Sequence, residues 1–291
     1  MKNIIKSILF ILISLFLLPS CGDFLEDVDV KGDNEIAVVG FISPDDSLVQ
    51  VALYRAIGIG QERNEEEGED YIQNAVVRIS DGQNSYVMNY GKNPYGFEDL
   101  GNGYFNYSFE KPQFTYQIEN SILNVSEGKT YTLEIETDKG EKLSAKCTVP
   151  VGKVTPIVNL TKFNEQEYNY EAQWEDNFNT TNYYRLEAYQ PSGGTGQTRT
   201  LYFENNYFKS QEGRNTITYK PEDKIYFYDY PYVTTYLMKT DENYYRYHKS
   251  VEDAYNNEGN PFGEPIIIHS NIKNGIGCFG AYIIAKVITR N

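Results

Sequence analysis

The stretch YTLEIETDKGEKLSAKCTV, residues 131–149, determines the fold predicted for the first half of the chain. Apolar and polar residues alternate from Tyr131 to Glu136, and Lys139-Gly140 has the composition of a tight turn. The alternation resumes from Leu143 to Val149. Period-two alternation places apolar side chains on one face of a strand, and two such runs around a glycine-containing turn indicate a β-hairpin. The stretch therefore predicts two antiparallel strands with one buried face.

The same pattern extends on the N-terminal side of this hairpin. Further predicted strands, separated by turn residues such as Asp81-Gly82, are Glu35 to Phe41, Ser47 to Tyr54, Ala75 to Ser80 and Ser85 to Tyr90. Short strands with turns every 8–12 residues are typical of an immunoglobulin-like sandwich. We assign this sandwich to residues 34–152, with the boundary at the glycine- and proline-containing segment from Gly152 to Pro156.

Residues 153–291 predict a second β-rich domain. Tyr168 to Glu175 alternates clearly, and Ile283 to Ile288 carries apolar side chains on both faces, which is typical of a central strand covered on both sides. Gly275, Gly277 and Gly280 precede that strand and indicate close backbone approach. The chain is thus predicted to be mainly β: an immunoglobulin-like sandwich followed by a β-rich domain.

One helix is predicted in this second domain, at about residues 241–257. Asp241 is suited to cap its N-terminus, and Tyr244, His248, Val251 and Tyr255 fall on one face at helical spacing. Glycine and proline end the pattern soon afterwards, at Gly259 and Pro261.

The N-terminus has the composition of an export signal. Residues 1–20 combine Lys2 and Lys6 with a short apolar run, Ile8 to Leu18, which is too short to span a bilayer. Cys21 follows the small residue Ser20 directly, as in the signal peptides of bacterial lipoproteins. We therefore expect cleavage before Cys21, acylation of its thiol with a palmitate-type chain, and an acidic tether over residues 21–33.

Charge and composition exclude one class of partner. The formal net charge is −15 and becomes −17 when Lys2 and Lys6 leave with the leader. Nucleic-acid binding requires clustered basic residues, so we expect no nucleic-acid partner. The run from Gln61 to Asp70 has too little apolar content to pack and predicts a solvated loop.

The end of the chain carries a specific resemblance. The stretch GNPFGEPIIIHSNIKNGIGCFGAY, residues 259–282, together with the cysteine-started tether and the sandwich, resembles an uncharacterised family of outer-membrane lipoproteins of Bacteroidetes-type bacteria, domain of unknown function 4249. Members of this family are often encoded beside TonB-dependent receptors. The resemblance implies a location at the outer membrane, facing the cell exterior, and a TonB-dependent receptor as partner. It supplies no catalytic residue.

Motifs for catalysis or cofactor binding are not found in the sequence. His248 and His269, predicted to lie on the helix and on a strand, are expected to have polar structural roles, and neither a metal nor another cofactor is expected. Cys147 lies on the apolar face of its predicted strand, and we favour buried free thiols at Cys147 and Cys278 over a disulfide. Acidic pairs such as Glu175-Asp176 leave open a hydrolase with acid catalysis, although we expect no enzyme.

Tyrosine is unusually abundant, with 27 residues in the chain. Five of them surround Pro231 and form a candidate stacking platform for a glycan, peptide or small molecule: Tyr226, Tyr228, Tyr230, Tyr232 and Tyr236. The alternative is that their rings only cover the core of the second domain.

The sequence leaves two functional hypotheses. The first is a non-enzymatic surface lipoprotein that binds a ligand or acts as an accessory subunit of a TonB-dependent receptor. The second is a structural or adhesive surface lipoprotein with no role in transport. Asp46-Ser47-Leu48 also resembles an O-glycosylation sequence of exported proteins in these bacteria, and the alternative at Ser47 is an ordinary turn.

Overall fold

The computed structural model describes residues 35–56, 71–94, 112–177, 179–191, 198–201, 206–222, 224–226, 232–257, 264 and 266–290. The first half of this part of the chain contains β1 (Ile36–Ile42), β2 (Leu48–Arg55), β3 (Val76–Ser80), β4 (Ser85–Val87), β5 (Asn89–Lys92), β6 (Phe114–Glu119), α1 (Asn120–Leu123), β7 (Thr130–Glu136) and β8 (Lys142–Thr148). The second half contains β9 (Ile157–Lys162), β10 (Glu167–Glu175), β11 (Tyr183–Pro191), β12 (Thr198–Leu201), β13 (Tyr207–Lys209), β14 (Thr216–Tyr219), β15 (Ile225–Tyr226), β16 (Tyr232–Thr240), α2 (Glu242–Asn257) and β17 (Ile276–Arg290).

The first half is a sandwich of the predicted kind, and the mainly β class is confirmed. One layer has the strand order β4-β3-β7-β8, and the other contains β1-β2-β6-β5. This is the strand order of an immunoglobulin-like sandwich with one additional edge strand. The alternation of apolar and polar residues explains how the layers pack, because Tyr131, Leu133 and Ile135 of β7 are all buried while their neighbours face outward.

The chain changes layers where one continuous strand was predicted, from Ser85 to Tyr90. β4 pairs with β3 in one sheet, whereas β5 pairs with β6 in the other. Met88, between the two strands, is buried and donates its backbone N–H to Val77 O over 2.9 Å. The single strand is therefore corrected to two short strands that belong to opposite layers.

The last strand, β17, joins the two halves of the molecule. Its first part pairs in parallel with β1, where Ala37 lies opposite Ile276, and its remainder pairs antiparallel with β16. One nine-stranded sheet results, in the order β12-β11-β16-β17-β1-β2-β6-β5, with β13 also paired to β11. The domain boundary after residue 152 stays a prediction, and this sheet runs across it.

Two glycines permit the close contacts that were predicted around β17. A side chain at Gly277, where φ is +105°, would place its Cβ 2.1 Å from the carbonyl oxygen of Val38 on β1. At Gly280 a Cβ would lie 3.0 Å from Cβ of Tyr244 on α2. Glycine is therefore required here for the parallel strand pair and for the packing of the helix.

Each side of the nine-stranded sheet is covered by different elements. One side, here called the sandwich side, packs against β4-β3-β7-β8 in the first half and against β9, β10, β14 and β15 in the second. Phe279 and Ala281 of β17 join the first of these cores, and Trp174 of β10 packs in the second. The opposite side, here called the helix side, is covered by α2, whose Tyr244 packs with Met238 and Tyr282.

The predicted helix is confirmed at Glu242–Asn257. Asp241 caps it, because its carboxylate oxygen Oδ1 accepts the Tyr244 backbone N–H over 2.8 Å. Tyr244 is fully buried, but Tyr255 at the far end of the predicted apolar face is 67% exposed. Likewise β17 is central in its sheet as predicted for Ile283 to Ile288, but the predicted cover on both sides does not extend to Ile288, which is 55% exposed.

Candidate functional site

The predicted lipidation site lies outside the described residues. Cys21, the leader over residues 1–20 and the tether over residues 21–33 belong to that part of the chain, so their roles stay predictions. Within the described residues, no helix is both long and apolar enough to cross a membrane.

The five candidate tyrosines do not share one strand pair. Tyr226 lies on β15, which pairs with β10, and is 43% exposed. Tyr232 and Tyr236 lie on β16, which pairs with β11 and β17 in the large sheet. Tyr228 and Tyr230 lie outside the described residues.

Tyr236 is an interior residue of the helix side. It is 4% exposed, its ring centroid lies 5.6 Å from that of Tyr189, and Lys286 Nζ lies 5.5 Å from its ring. A ring with these neighbours has little free surface for a ligand. Of the described members of the set, Tyr226 therefore has the most exposed side chain, and its ligand-binding role stays a prediction.

A buried ion pair lies beside Tyr236. Arg185 Nη2 and Glu187 Oε1 are 2.5 Å apart, and both side chains are almost completely buried. Arg185 Nη1 donates to the Tyr244 hydroxyl over 3.0 Å, and the Tyr189 hydroxyl donates to Glu187 Oε2 over 2.6 Å. Burial alone lowers the pKa of Arg185, but Glu187 and the neighbouring tyrosines outweigh it, so the pKa is held well above its ordinary value. Burial raises the pKa of Glu187, and Arg185 and the Tyr189 hydroxyl act in the opposite direction.

Sequence reasoning missed this ion pair for a physical reason. Arg185 and Glu187 alternate on β11 with Tyr184, Leu186 and Ala188, as they would on a strand with one face in water. The polar face is instead covered by α2, which begins more than fifty residues later in the chain. The predicted apolar helix face was a partial signal that some sheet surface must be covered.

Two carboxyl groups close to β17 have pKa values of about 6. Burial raises the pKa of Asp241. The hydrogen bond by which Asp241 caps α2 and the hydrogen bonds with the backbone of Ala281 and Thr148 lower that pKa, but by less. Burial also raises the pKa of Asp46, and its hydrogen bonds from the Tyr282 hydroxyl, 2.9 and 3.1 Å long, act in the opposite direction. Ser47, the predicted glycosylation residue beside Asp46, is exposed, and its modification stays a prediction.

The two remaining cysteines are buried and free, as predicted. Burial raises the pKa of both Cys147 and Cys278 well above the ordinary value, with Asp241 adding to the effect. A thiolate is the reactive form of cysteine, so these thiols are poor nucleophiles.

The histidines have different environments. His248 on α2 is surrounded by Phe41, Tyr244 and Tyr247, and burial lowers its pKa well below the ordinary value. The prediction that His269 lies on a strand is wrong: residues 266–272 form neither a strand nor a helix. Its backbone N–H donates to Ser250 Oγ over 2.9 Å, so α2 positions it instead. Among the described residues, no cluster of three or more His, Cys, Asp or Glu side chains could hold a metal ion.

An exposed apolar segment lies between α2 and β17 in the chain. Ile266, Ile267 and Ile268 are 38%, 90% and 46% exposed. Hydrogen bonds tie this segment to α2 at its two ends, from Asn257 Nδ2 to Glu264 O over 2.8 Å and through the His269 contact. Consecutive exposed isoleucines are unusual on a protein surface and indicate an interaction site. We call Ile266–Ile268 the isoleucine segment.

A second exposed feature is a group of aromatic rings at one end of the sandwich. The rings of Tyr54, Tyr71, Phe114 and Tyr90 follow one another with centroid distances of 4.9, 5.7 and 5.8 Å. All four side chains are partly exposed, while Tyr116 is buried behind Tyr90 at 5.1 Å. We call Tyr54, Tyr71, Tyr90 and Phe114 the aromatic cluster.

These features define a β protein with two surface regions suited to binding. The family model of a domain of unknown function, DUF4249, matches residues 23–287 of the chain. The chain therefore belongs to the DUF4249 family, in agreement with the resemblance of its C-terminal sequence. No curated protein matches the sequence significantly.

Proposed function

We propose that this chain is an outer-membrane lipoprotein, facing the cell exterior, that acts without enzymatic activity as a ligand-binding or accessory subunit of a TonB-dependent receptor. The exposed isoleucine segment is the observation that carries the proposal. Ile267 alone is 90% exposed, and burying such a side chain against a partner contributes about 1.5–3 kcal/mol.

The nature of the partner follows from charge and anchoring. A chain with a formal charge of −15 is repelled by anionic lipid surfaces, which favours a protein rather than the membrane against the isoleucine segment. Acylation at Cys21 would confine the chain to the membrane that holds the receptor. Tethering of this kind raises the effective concentration of two partners, so a modest contact surface suffices.

The lipid anchor is tested by metabolic labelling with a palmitate analogue. The wild-type chain should incorporate the label and partition into detergent. Cys21→Ala should incorporate none and retain its leader, because the thiol is the site of acylation. Equal labelling of the two proteins would contradict the anchor.

The receptor is tested by an affinity pull-down of the tagged, lipidated chain from gently solubilised outer membranes, with mass spectrometry. We expect a stoichiometric TonB-dependent receptor with the wild type and a strong loss with Ile267→Asp. Ile288→Asp is the matched control, because Ile288 is also exposed, at 55%, but lies at the end of β17. Full recovery of the chain without a receptor would favour the adhesive alternative.

A further inference from the structure

The aromatic cluster contains a hydroxyl group that the fold does not use. Among the described residues, the Tyr90 hydroxyl is buried and has no hydrogen-bond partner. A buried donor without a partner costs about 1–3 kcal/mol, so its presence requires an explanation, such as a bound water or ligand. The Tyr90 ring is stacked on Phe114 with an angle of 10° between the planes.

A second hydroxyl group lies close to it. The Tyr71 hydroxyl accepts the Gln113 backbone N–H over 2.8 Å at an exposed position. A phenol that accepts one hydrogen bond still carries a proton to donate. The ring of Tyr71 contacts both Tyr54 and Phe114, so phenolic donors and ring faces occur together in a single group.

The strands position this group at the end of the sandwich where β2 ends and β6 begins. Tyr54 lies near the end of β2, Phe114 begins β6, and Tyr90 lies on β5 beside Tyr116 of β6. Tyr116 anchors the group from below, because its hydroxyl donates to Ile72 O and accepts the Ala75 N–H, over 2.8 and 2.9 Å. The rings are therefore held by a rigid sheet, as a preformed binding surface requires.

We propose that the aromatic cluster is a binding site for a neutral glycan. The C–H face of a sugar ring packs on aromatic faces, and its hydroxyl groups are both donors and acceptors that match phenols. An anionic glycan is disfavoured, because the formal charge of the chain is −15. The inference deepens the proposed function by naming a ligand class.

The test is native affinity electrophoresis of the full-length chain in detergent. The gels contain an α-glucan, a β-glucan, an arabinoxylan, a galactomannan or the acidic polygalacturonate. We expect at least one neutral polysaccharide to retard the wild type, and Tyr71→Ala and Phe114→Ala to weaken that binding fivefold or more. Phe163→Ala is the matched control, because Phe163 is 61% exposed in the other half of the chain and should bind normally.

Tyr90→Phe separates binding from folding. It removes only the hydroxyl, so we expect weaker retardation together with unchanged or increased resistance to urea. Loss of stability with unchanged binding would show that the hydroxyl is structural and would overturn the proposal. Failure of every neutral polysaccharide to bind, retardation by polygalacturonate alone, or normal binding by Tyr71→Ala would also overturn it. The gel contains no receptor, so this result and the pull-down can fail independently.

Discussion

The two sides of the nine-stranded sheet are both buried, but their chemistry differs. In the first half of the chain, the sandwich side packs an almost entirely apolar core in which Leu133, Ile79 and Val51 are 0% exposed. The helix side buries Arg185 and Glu187 beneath α2, together with His248 of α2 itself. An apolar interface is insensitive to pH and tolerates exchange of similar side chains, whereas a polar interface depends on every partner being present. α2 is therefore held on the sheet by the hydrogen bond between Arg185 and Tyr244 as well as by apolar packing.

The largest expected effect comes from breaking the buried ion pair. Arg185→Met should lower the free energy of unfolding by about 3–5 kcal/mol, because it leaves the buried Glu187 carboxyl without its cationic partner. Arg185→Met combined with Glu187→Met should recover most of this loss, since replacing both partners by apolar groups is often neutral. Urea unfolding at pH 7 measures the free energy of unfolding of the wild type, the single variant and the double variant.

The sandwich side supplies the control for this experiment. Leu133→Met keeps the volume of a fully buried apolar side chain and should cost under about 1.5 kcal/mol. If the single Arg185 variant were no less stable than the double variant, the two sides would not differ as described.

Alternation in the sequence predicted the sandwich side well. Each apolar position of β7 and β8 is buried as expected, and the cap at Asp241 and the spacing after it predicted α2. The glycines ahead of Ile283 also predicted close contact, which occurs at Gly277 inside β17. These features are local, because strand period, turn residues and caps act over a few neighbouring residues.

The helix side was not predictable in the same way. Parallel pairing of β1 with β17 joins residues at opposite ends of the chain, and no local pattern encodes which distant strands become neighbours. In the sequence, Arg185 and Glu187 have the alternation of solvent-facing residues, whereas in the structure α2 covers them. The isoleucine segment shows the opposite case, because three consecutive apolar residues remain exposed. The aromatic cluster likewise combines residues from β2, β5 and β6 that only the topology brings together.

A smaller effect is expected from His248 when the pH is lowered. Burial and the nearby Arg185 hold its folded pKa well below 6.5, whereas the unfolded chain takes up a proton near that value. Acidification therefore favours the unfolded state, and between pH 6.5 and 5 this costs at most about 2 kcal/mol. His248→Phe keeps the aromatic contacts with Tyr244 and Tyr247 and should therefore lose less stability than the wild type over the same range. Equal losses in both proteins would show that His248 titrates normally.

The smallest effect concerns Asp241 and has the opposite sign. Its folded pKa of about 6 lies above the ordinary 3.8, so the folded chain holds the proton to higher pH than the unfolded chain does. The stabilising contribution is present at acid pH and is lost as the pH rises through about 6. Lowering the pH from 7.5 to 5 should therefore add about 1 kcal/mol in the wild type, from the integrated difference in proton binding.

Asp241→Asn removes this titration while preserving the cap, because asparagine caps helices as well as aspartate does. Its free energy of unfolding relative to the wild type should fall by about 1 kcal/mol between pH 7.5 and 5. Urea unfolding at the two pH values measures that difference. For His248→Phe, the free energy of unfolding relative to the wild type should instead rise between pH 7.5 and 5. Since both groups lie on the helix side, Leu133→Met should leave the pH profile of the wild type unchanged. If Asp241→Asn had the same pH dependence of the free energy of unfolding as the wild type, that dependence would arise elsewhere in the molecule. The distinction between the two sides would then not hold.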